Sequence, residues 1–417
     1  MTRMPVAQAL AQVLDAPLLI RAYDGSVAGP PDAPVTVHIR SSRALSHMVA
    51  APGELGMARA FVSGEIDIEG ADHYTLLRMV ARQKIGDLSW SQRVQVLRSL
   101  GPEVLQWVEP PPQEVGAKRY LSGLRHSRGR DAMDISHHYD VSNRFYNWVL
   151  GPSMAYTCAV FPDAQATLEQ AQVAKFALVS RKLGLRPGMR LLDVGCGWGG
   201  MAMHAAREHG VEVIAVTLSR QQAEWGQKAV AEAGLAKQVD IRFQDYRDVS
   251  ESGFDAISSI GLTEHIGMAK LPSYAYTLAS KLVPQGRLLN HCITRPDDHS
   301  SAIAKRGFIT RYVFPDGELP GVGRICRELQ RAGLEIRHEE NLREHYALTC
   351  KAWCDNLDAH WDEAVAEVGQ ATARVWAVYL AGSRLSFERN DIQLHQVLAV
   401  RSADGVAGMP LRPDWGS

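Results

Sequence analysis

The sequence predicts an α/β protein in which a large domain built on a parallel sheet follows a smaller α+β domain. From about residue 167 onward, apolar strand-like runs alternate with helical patterns, which is typical of a parallel sheet covered by helices on both faces. The chain has 417 residues, more than a single hydrophobic core usually accommodates, so two domains are expected.

The composition is that of an ordinary globular protein. Hydrophobic residues make up 46% and charged residues 22%, and the net charge of −1 gives no sign of nucleic-acid binding. The six cysteines form no CxxC pair and no zinc-type cluster, so we expect reduced thiols, no metal site and a cytoplasmic location. The N-terminus does not resemble a signal peptide, and no run of about 18 apolar residues predicts a membrane span.

Three consecutive prolines mark the predicted domain boundary. Pro110–Pro112 cannot continue a helix and favour an extended segment. We therefore predict an N-terminal domain over residues 1–108, in which the run 34–39 is strand-like, a linker over 109–130 and a C-terminal domain over 131–417. The end of the linker is either a solvated basic surface or a patch that contacts phosphate, formed by Lys118, Arg119, Arg125, His126, Arg128 and Arg130.

The C-terminal domain has a recognisable start to its alternating pattern. Thr167 and Gln170 have the spacing of a capping box and predict a helix that runs to about Leu183. Leu185–Gly188 is then a turn before the first strand. The predicted strands are Arg190–Val194, Val211–Val216, Val239–Phe243, Phe254–Ile260 and Arg287–His291.

A glycine-rich loop, DVGCGWGG, follows the first of these strands. Gly195, Gly197 and Gly199 let the backbone approach a ligand closely, and the next helix offers unpaired N–H groups to a carboxylate. Dinucleotide sites usually read GxGxxG, whereas this loop reads GxGxGG after Asp193, the form typical of the Rossmann-like class I SAM-dependent methyltransferases. We therefore predict a site for S-adenosyl-L-methionine (SAM); the alternative is a purely structural glycine turn.

The next two strands are followed by further candidate cofactor residues. Many methyltransferases place an acidic residue after the strand that ends here at Val216, but this chain offers only neutral groups such as Thr217 and Gln222. Asp245 follows the third strand and is the candidate for the adenine amino group, with a surface turn as the alternative. Leu218 and Tyr246 complete the predicted cofactor contacts at these positions.

Several ordered motifs resemble the cyclopropane fatty acid synthases and their mycolic acid and methyl-branching relatives. The resemblance runs from about His137 to Val400. It implies a SAM-dependent transfer of one carbon to the double bond of unsaturated fatty acyl chains in membrane phospholipids. Besides the glycine loop, the motifs are His138–Asn143, Tyr156–Phe161, Val216–Ser219, Gly261–Gly267, Asn290–Thr294, His345–Thr349 and Gln393–Leu398.

The same resemblance implies a catalytic set. In this family a bound bicarbonate ion stabilises a carbocation and accepts a proton, and Tyr156 and Thr157 match positions that contact SAM. Taken singly, the candidates have structural alternatives: a buried thiol, a strand-end histidine and a glutamate that caps a helix. The positions that match the bicarbonate ligands are Cys158, Glu264, His291, Tyr346 and the backbone of Ile293.

The product and the partners are less defined. The family often has Met-Phe before Glu264, where this chain has Leu262 and Thr263, so a cyclopropane and a 10-methylene (tuberculostearic-type) branch both remain open. The segments 51–60 and 64–70 look like the lipid-facing N-terminal domain of long, actinobacterial members. Acyl chains at the inner membrane face are the expected partner; a separate reductase, needed only for a methyl branch, and a homodimer remain open.

Two other functional classes compete with this interpretation. A methyltransferase of a small soluble acceptor would need a polar acceptor pocket with a general base. A non-catalytic lipid-binding protein would need no SAM site at all. Binding of SAM and a choice between lipid and soluble acceptors therefore distinguish the three.

Overall fold

A computed structural model describes residues 4–14, 16–80, 101–115, 141–298 and 307–416. Contacts divide the chain into two units. The first comprises Met1–Arg119, Ala304–Pro315 and Trp353–Leu385, and the second comprises Tyr120–Ile303, Asp316–Ala352 and Ser386–Ser417. The first unit thus takes in two segments from the region 131–417, for which the sequence predicts a single domain. The basic residues of the predicted linker, 118–130, lie outside the described residues.

The first unit begins with an α+β arrangement. Its four-stranded sheet has the order β2-β1-β3-β4, in which β1 and β3 are parallel and the other pairs antiparallel. The strand predicted within 34–39 is confirmed as β3. The elements are α1 Val6–Val13, β1 Leu18–Ala22, β2 Val27–Ala28, β3 Val35–Ile39, α2 Ser42–Ala50, α3 Glu54–Val62, β4 Ile66–Glu69, α4 His73–Val80 and a 3₁₀ turn at Pro102–Leu105.

The described end of the predicted linker is packed within this unit. The Glu114 side chain is only 5% exposed and accepts two hydrogen bonds from the Arg59 guanidinium, at 2.6 and 2.7 Å. The Val115 N–H donates to the Arg311 carbonyl at 2.7 Å. A carboxylate buried this far is stable only with such a partner, so this part of the segment is folded structure.

The remaining elements form the second unit with its larger sheet, except for the helical segments within 304–315 and 353–385, which belong to the first unit. The elements are α5 Asn143–Leu150, α6 Leu168–Leu183, β5 Arg190–Val194, α7 Gly200–His209, β6 Glu212–Thr217, α8 Arg220–Glu232, β7 Val239–Phe243, β8 Phe254–Ile260, α9 Thr263–Ile266, α10 Leu271–Lys281, β9 Leu282–Thr294, α11 Phe308–Tyr312, α12 Val322–Arg331, β10 Glu335–Asn341, α13 Arg343–Ala359, α14 Trp361–Val368, α15 Gln370–Glu388 and β11 Gln393–Val400.

The sheet of the second unit has seven strands in the order β10-β11-β9-β8-β5-β6-β7. Strands β5 to β9 are parallel, and β11 is antiparallel to both β9 and β10. The five strands predicted from the sequence are confirmed as β5 to β9. The carboxyl ends of the five parallel strands meet at one edge, the position where α/β proteins of this kind bind ligands.

Helices cover both faces of this sheet. Apolar residues of α6, α7 and α8 form the core on one face, and those of α10 and α12 form the core on the other. The predicted capping box is confirmed: the Thr167 hydroxyl accepts from the Gln170 N–H, and the Gln170 side chain accepts from the Thr167 N–H. In the part of the chain that the structure describes, no helix is both long and apolar enough to span a membrane.

Candidate active site

The glycine-rich loop connects β5 to α7 in a backbone conformation that requires glycine. Gly197 has φ +56° and Gly199 has φ +87°. A Cβ on Gly199 would lie 2.5 Å from Cδ1 of Ile241, so this glycine is required by packing. A Cβ on Gly197 would meet no protein atom within 4 Å. Gly197 therefore borders open space, as a residue that a ligand approaches should.

A pocket lies over this loop at the carboxyl edge of the parallel strands. Besides the loop, its walls include the ends of β6 and β8 and the end of α9. Gly199 and Asp245 are the two predicted cofactor residues that do not line it. Those that do are Tyr156, Thr157, Asp193, Gly195, Gly197, Thr217, Leu218, Gln222 and Tyr246.

Asp193 presents an unsatisfied carboxylate oxygen in this pocket. Its Oδ1 accepts from the Ser258 hydroxyl at 2.6 Å, while its Oδ2 is buried and has no hydrogen-bond partner among the described residues. Burial raises the pKa of Asp193 to about 6. A buried carboxylate of this kind suits a ligand that brings a positive charge or hydrogen-bond donors.

Neutral groups stand at the end of β6, as the sequence predicts. The Thr217 hydroxyl donates to Oε1 of Gln222 at 2.8 Å, and both side chains are buried. The Asp245 carboxylate is held by Arg247, which contacts it through its backbone N–H, Nε and Nη2 at 2.9, 2.8 and 2.5 Å. Because Arg247 and Gln244 line the pocket and Asp245 does not, a contact between Asp245 and adenine remains a prediction.

Lys175 is a pocket residue that the sequence analysis did not identify. It lies on α6 and is 1% exposed; its Nζ donates to the Thr157 hydroxyl at 3.0 Å and sits 3.8 Å from the ring centroid of Phe176. Burial lowers the pKa of Lys175 to about 7, although the neighbouring Cys158 and Asp193 act in the opposite direction. A cation that is costly to keep charged thus borders the predicted cofactor site.

Two of the predicted catalytic groups contact each other directly. Glu264, at the start of α9, accepts through Oε1 from the Ile293 N–H of β9 at 2.6 Å. The residue is partly exposed, but its Oε2 is buried and has no partner in the described chain, and burial raises the pKa of Glu264 to about 7. The Ile293 amide, which the family resemblance assigns to an anion, is therefore bonded to Glu264 in this structure.

His291 lies two residues before Ile293 on β9, so both side chains point to the same face of the sheet. Its Nδ1 is 3.1 Å from Nε2 of Gln396, and its own Nε2 is buried with no partner among the described residues. Burial, together with the positive charges of Lys175 and Lys182, lowers the pKa of His291 well below its ordinary value. The imidazole is therefore neutral.

The Cys158 thiol and the backbone N–H of Tyr346 contact the same carbonyl, that of Leu342. The Cys158 thiol is 3.1 Å from the Ala159 carbonyl and 3.8 Å from that of Leu342, which also accepts from the Tyr346 N–H at 3.1 Å. The Tyr346 ring stacks on Phe387 with centroids 4.3 Å apart. Burial raises the pKa of the Cys158 thiol far above its ordinary range, so the thiol is neutral and can donate.

The chain matches, over residues 126–397, the family model described as mycolic acid cyclopropane synthetase. It belongs to this family. A probable fatty acid methyltransferase of Mycobacterium tuberculosis is 56% identical over 407 residues, which cover 96% of this chain and 95% of that protein. The cyclopropane-fatty-acyl-phospholipid synthase of Escherichia coli is 35% identical over 267 residues, 64% of this chain and 67% of the relative.

A solved structure agrees with these relatives. The mycolic acid cyclopropane synthase CmaA1, complexed with SAH and CTAB, superposes with a TM-score of 0.61 at 31% identity, covering 64% of this chain and 98% of that one. The fold of the second unit is thus the predicted Rossmann-like fold of class I methyltransferases. The protein is a SAM-dependent methyltransferase of the cyclopropane synthase type.

Two of the predicted catalytic groups have the chemistry to contact a small oxyanion. Glu264 Oε2 and His291 Nε2 are buried polar atoms without partners in the described chain. Lys175 acts electrostatically on both Cys158 and His291, so the two halves of the predicted set lie near the same buried amine. A neutral imidazole offers one donor, and a carboxyl whose pKa is near 7 donates when protonated.

Proposed function

We propose that this protein transfers one carbon from SAM to the double bond of unsaturated acyl chains in membrane phospholipids and closes a cyclopropane. The observation that carries the proposal is the pair of unpartnered buried atoms, Glu264 Oε2 and His291 Nε2. Glu264 lies beside the pocket, since Leu262 and His265 on either side of it line the wall. A small soluble nucleophile would not need such a pair.

The chemistry requires that water be kept away from the reacting carbons. The alkene attacks the SAM methyl group, so that a C–C bond forms, the C–S bond breaks and S-adenosylhomocysteine leaves. The adjacent alkene carbon becomes a cation, which water would capture if it could enter. Loss of a proton from the transferred methyl group then gives the electron pair that closes the ring.

We assign a bicarbonate ion as the second cofactor. When bound, it supplies a base for that proton and a negative charge beside the cation, which is strongly stabilising in a low dielectric. His291 Nε2, the Glu264 carboxyl, the Cys158 thiol and the Tyr346 hydroxyl would hold it. The Ile293 N–H would join them only after exchanging Glu264 for the anion, because it is bonded to that carboxylate here.

Thr263, which replaces an apolar residue common in the family before the catalytic glutamate, does not favour the methylene-branched product. Thr263 is 1% exposed and its hydroxyl donates to Oδ1 of Asn290 at 2.7 Å. That oxygen also accepts from the Tyr274 hydroxyl, at 2.9 Å. Thr263 is thus part of a buried polar network, and its polarity is satisfied there. We therefore retain the cyclopropane as the product, which needs no reductase.

We further propose that the enzyme binds its substrate as a peripheral protein at the inner face of the membrane. The acyl chains it modifies are part of a bilayer, whereas none of the described helices could span one. To take up an acyl chain from the bilayer, the protein must therefore bind reversibly to the membrane surface.

The proposal is tested with purified protein, SAM and vesicles of a monounsaturated phospholipid. Mass spectrometry and NMR of the recovered acyl chains should show the gain of one CH₂ group and cyclopropane protons. Saturated vesicles and a mixture of soluble metabolites should give no product. Methylation of a soluble acceptor with no change in the lipid would refute the proposal, as would failure to bind SAM, and olefinic methylene protons would assign the branched product instead.

The role of the anion is tested separately. Adding bicarbonate to carbonate-depleted enzyme should stimulate turnover, whereas Glu264→Gln should bind SAM normally, turn over orders of magnitude more slowly and show no stimulation. Glu251→Gln is a matched control, because Glu251 pairs with Arg242 away from the pocket and should behave like the wild type. Equal stimulation of wild type and Glu264→Gln would exclude the proposed bicarbonate site.

A further inference from the structure

A chain of hydrogen bonds runs across the sheet behind His291. Gln396 on β11 is the register partner of His291 on β9 on one side and of Glu340 on β10 on the other. Side chains at directly opposed positions share one face of the sheet and contact each other. Lys182 of α6 packs on this face; its Nζ donates to Gln396 Oε1 at 2.7 Å and to Glu340 Oε2 at 2.5 Å.

The chemistry of these groups leaves one orientation for the amide. The ammonium of Lys182 can only donate, so the atom of Gln396 that faces it is the oxygen. The amide nitrogen of Gln396 then faces Nδ1 of His291, at 3.1 Å. Since this nitrogen is a donor, Nδ1 must accept. In a neutral imidazole the single proton is then on Nε2.

Burial makes this arrangement strict. Lys182 and Gln396 are both 0% exposed, so no water competes for their donors and acceptors. A reversed amide would place its NH₂ group against the ammonium of Lys182, a contact between two donors that is costly in a dry interior. The argument also requires that the imidazole carry a single proton, which agrees with a pKa of His291 well below its ordinary value.

We propose that Lys182 and Gln396 are positioning residues that hold His291 in its Nε2–H tautomer, so that Nε2 donates a hydrogen bond to the anion in the active site. The donor role rests on the proposed function, because it presumes an anion there. The tautomer itself does not, since it follows from contacts within the protein. Nε2 is the buried imidazole atom for which the described residues provide no partner.

A purely structural role for the same contacts makes a different prediction. If Gln396 served only to satisfy the buried ammonium of Lys182, then any hydrogen-bond acceptor at position 396, together with the Glu340 carboxylate, would fill that role. Gln396→Glu separates the two roles, because a carboxylate of nearly the same size still accepts from Lys182 but cannot donate to His291. It would accept from Nδ1 instead, and the proton would move from Nε2 to Nδ1.

The experiment is ¹⁵N NMR of protein labelled at histidine, with the His291 signals assigned by their absence in His291→Asn. The free wild type should show a protonated Nε2, and Gln396→Glu a protonated Nδ1. The variant should also lose at least tenfold in kcat and its stimulation by sodium bicarbonate, with SAM affinity unchanged. Gln393→Glu, at the start of the same strand, should leave the His291 signals unaltered.

Lys182→Met provides a second variant in case Gln396→Glu fails to fold. Without the ammonium the amide of Gln396 is free to turn over, so the His291 signals should show both tautomers. A protonated Nδ1 in the wild type overturns the proposal, and so does a tautomer that neither variant changes. If the tautomer follows the prediction but lipid vesicles are not modified, the proposed function fails and the positioning role stands.

Discussion

Glu264→Gln should have opposite effects on stability and on catalysis, and the stability effect should depend on pH. Burial raises the pKa of Glu264 from 4.5 to about 7. At 1.36 kcal/mol for each pH unit, that difference corresponds to about 3 kcal/mol, and the partial exposure of the side chain reduces it to about 2 kcal/mol. This is the free energy that ionised Glu264 costs the folded state above pH 7.

The sign follows from proton linkage. A carboxyl whose pKa is raised on folding binds its proton more tightly in the folded state, so stability falls as the pH rises from about 4.5 to 7. Glutamine removes this loss while its oxygen can still accept from the Ile293 N–H. The free energy of unfolding of Glu264→Gln, relative to the wild type, should therefore rise by about 2 kcal/mol between pH 4.5 and 7 and stay level above pH 7.

The assay is urea unfolding of both proteins at several pH values from 4.5 to 8. Glu251→Gln is the control: the pKa of Glu251 is lowered by its hydrogen bond to Arg242, so its proton linkage acts below pH 4.5 and the stability of this variant relative to the wild type should change little over the assayed range. Parallel pH profiles for Glu264→Gln and wild type would refute the reasoning, because they would mean that Glu264 titrates normally.

Three further outcomes are expected. Gly197→Ala should cost the fold only about 1 kcal/mol in thermal unfolding yet weaken SAM binding at least tenfold in calorimetry, whereas Gly199→Ala should mainly destabilise the protein because its Cβ would meet Ile241. SAM should bind about tenfold more weakly at pH 5 than at pH 7, because the Asp193 carboxylate, with a pKa of about 6, takes up a proton, and Asp193→Asn should abolish this dependence. Lys175→Met should raise the free energy of unfolding most below pH 7, and the gain should shrink toward pH 10, because the pKa of Lys175 is lowered to about 7 by burial; a gain that does not vary with pH would contradict this.

Local signals explain what the sequence could predict. The apolar runs of β5 to β9, the capping box at Thr167 and the glycine loop each depend on neighbours within a few residues. The position of the cofactor pocket could be predicted because the carboxyl ends of parallel strands meet at one edge of the sheet. These features need no knowledge of which distant segments pack together.

The parts that could not be predicted depend on contacts between distant segments. The Glu114–Arg59 pair and the grouping of 353–385 with the first unit are examples. Lys175 and Lys182 did carry a usable signal: they are seven residues apart, so they lie on the same face of α6 as the buried apolar residues. A lysine on the apolar face of a helix either reaches solvent at the edge of the core or is buried beside a functional site. Only the tertiary packing shows which of the two applies.

The ionisable groups around the proposed anion site share a property that bears on how the cofactors bind. Burial shifts each toward its neutral form: the pKa is raised for Cys158 and Glu264 and lowered for Lys175 and His291. By itself this set of groups has little fixed charge to balance a bound anion, whereas on the cofactor side the Asp193 carboxylate offers a negative charge to the sulfonium. In a low dielectric the two ions attract each other strongly, so each should bind better in the presence of the other. On transfer of the methyl group the positive charge would pass to the substrate, and an anion bound at the proposed site would then stabilise the carbocation.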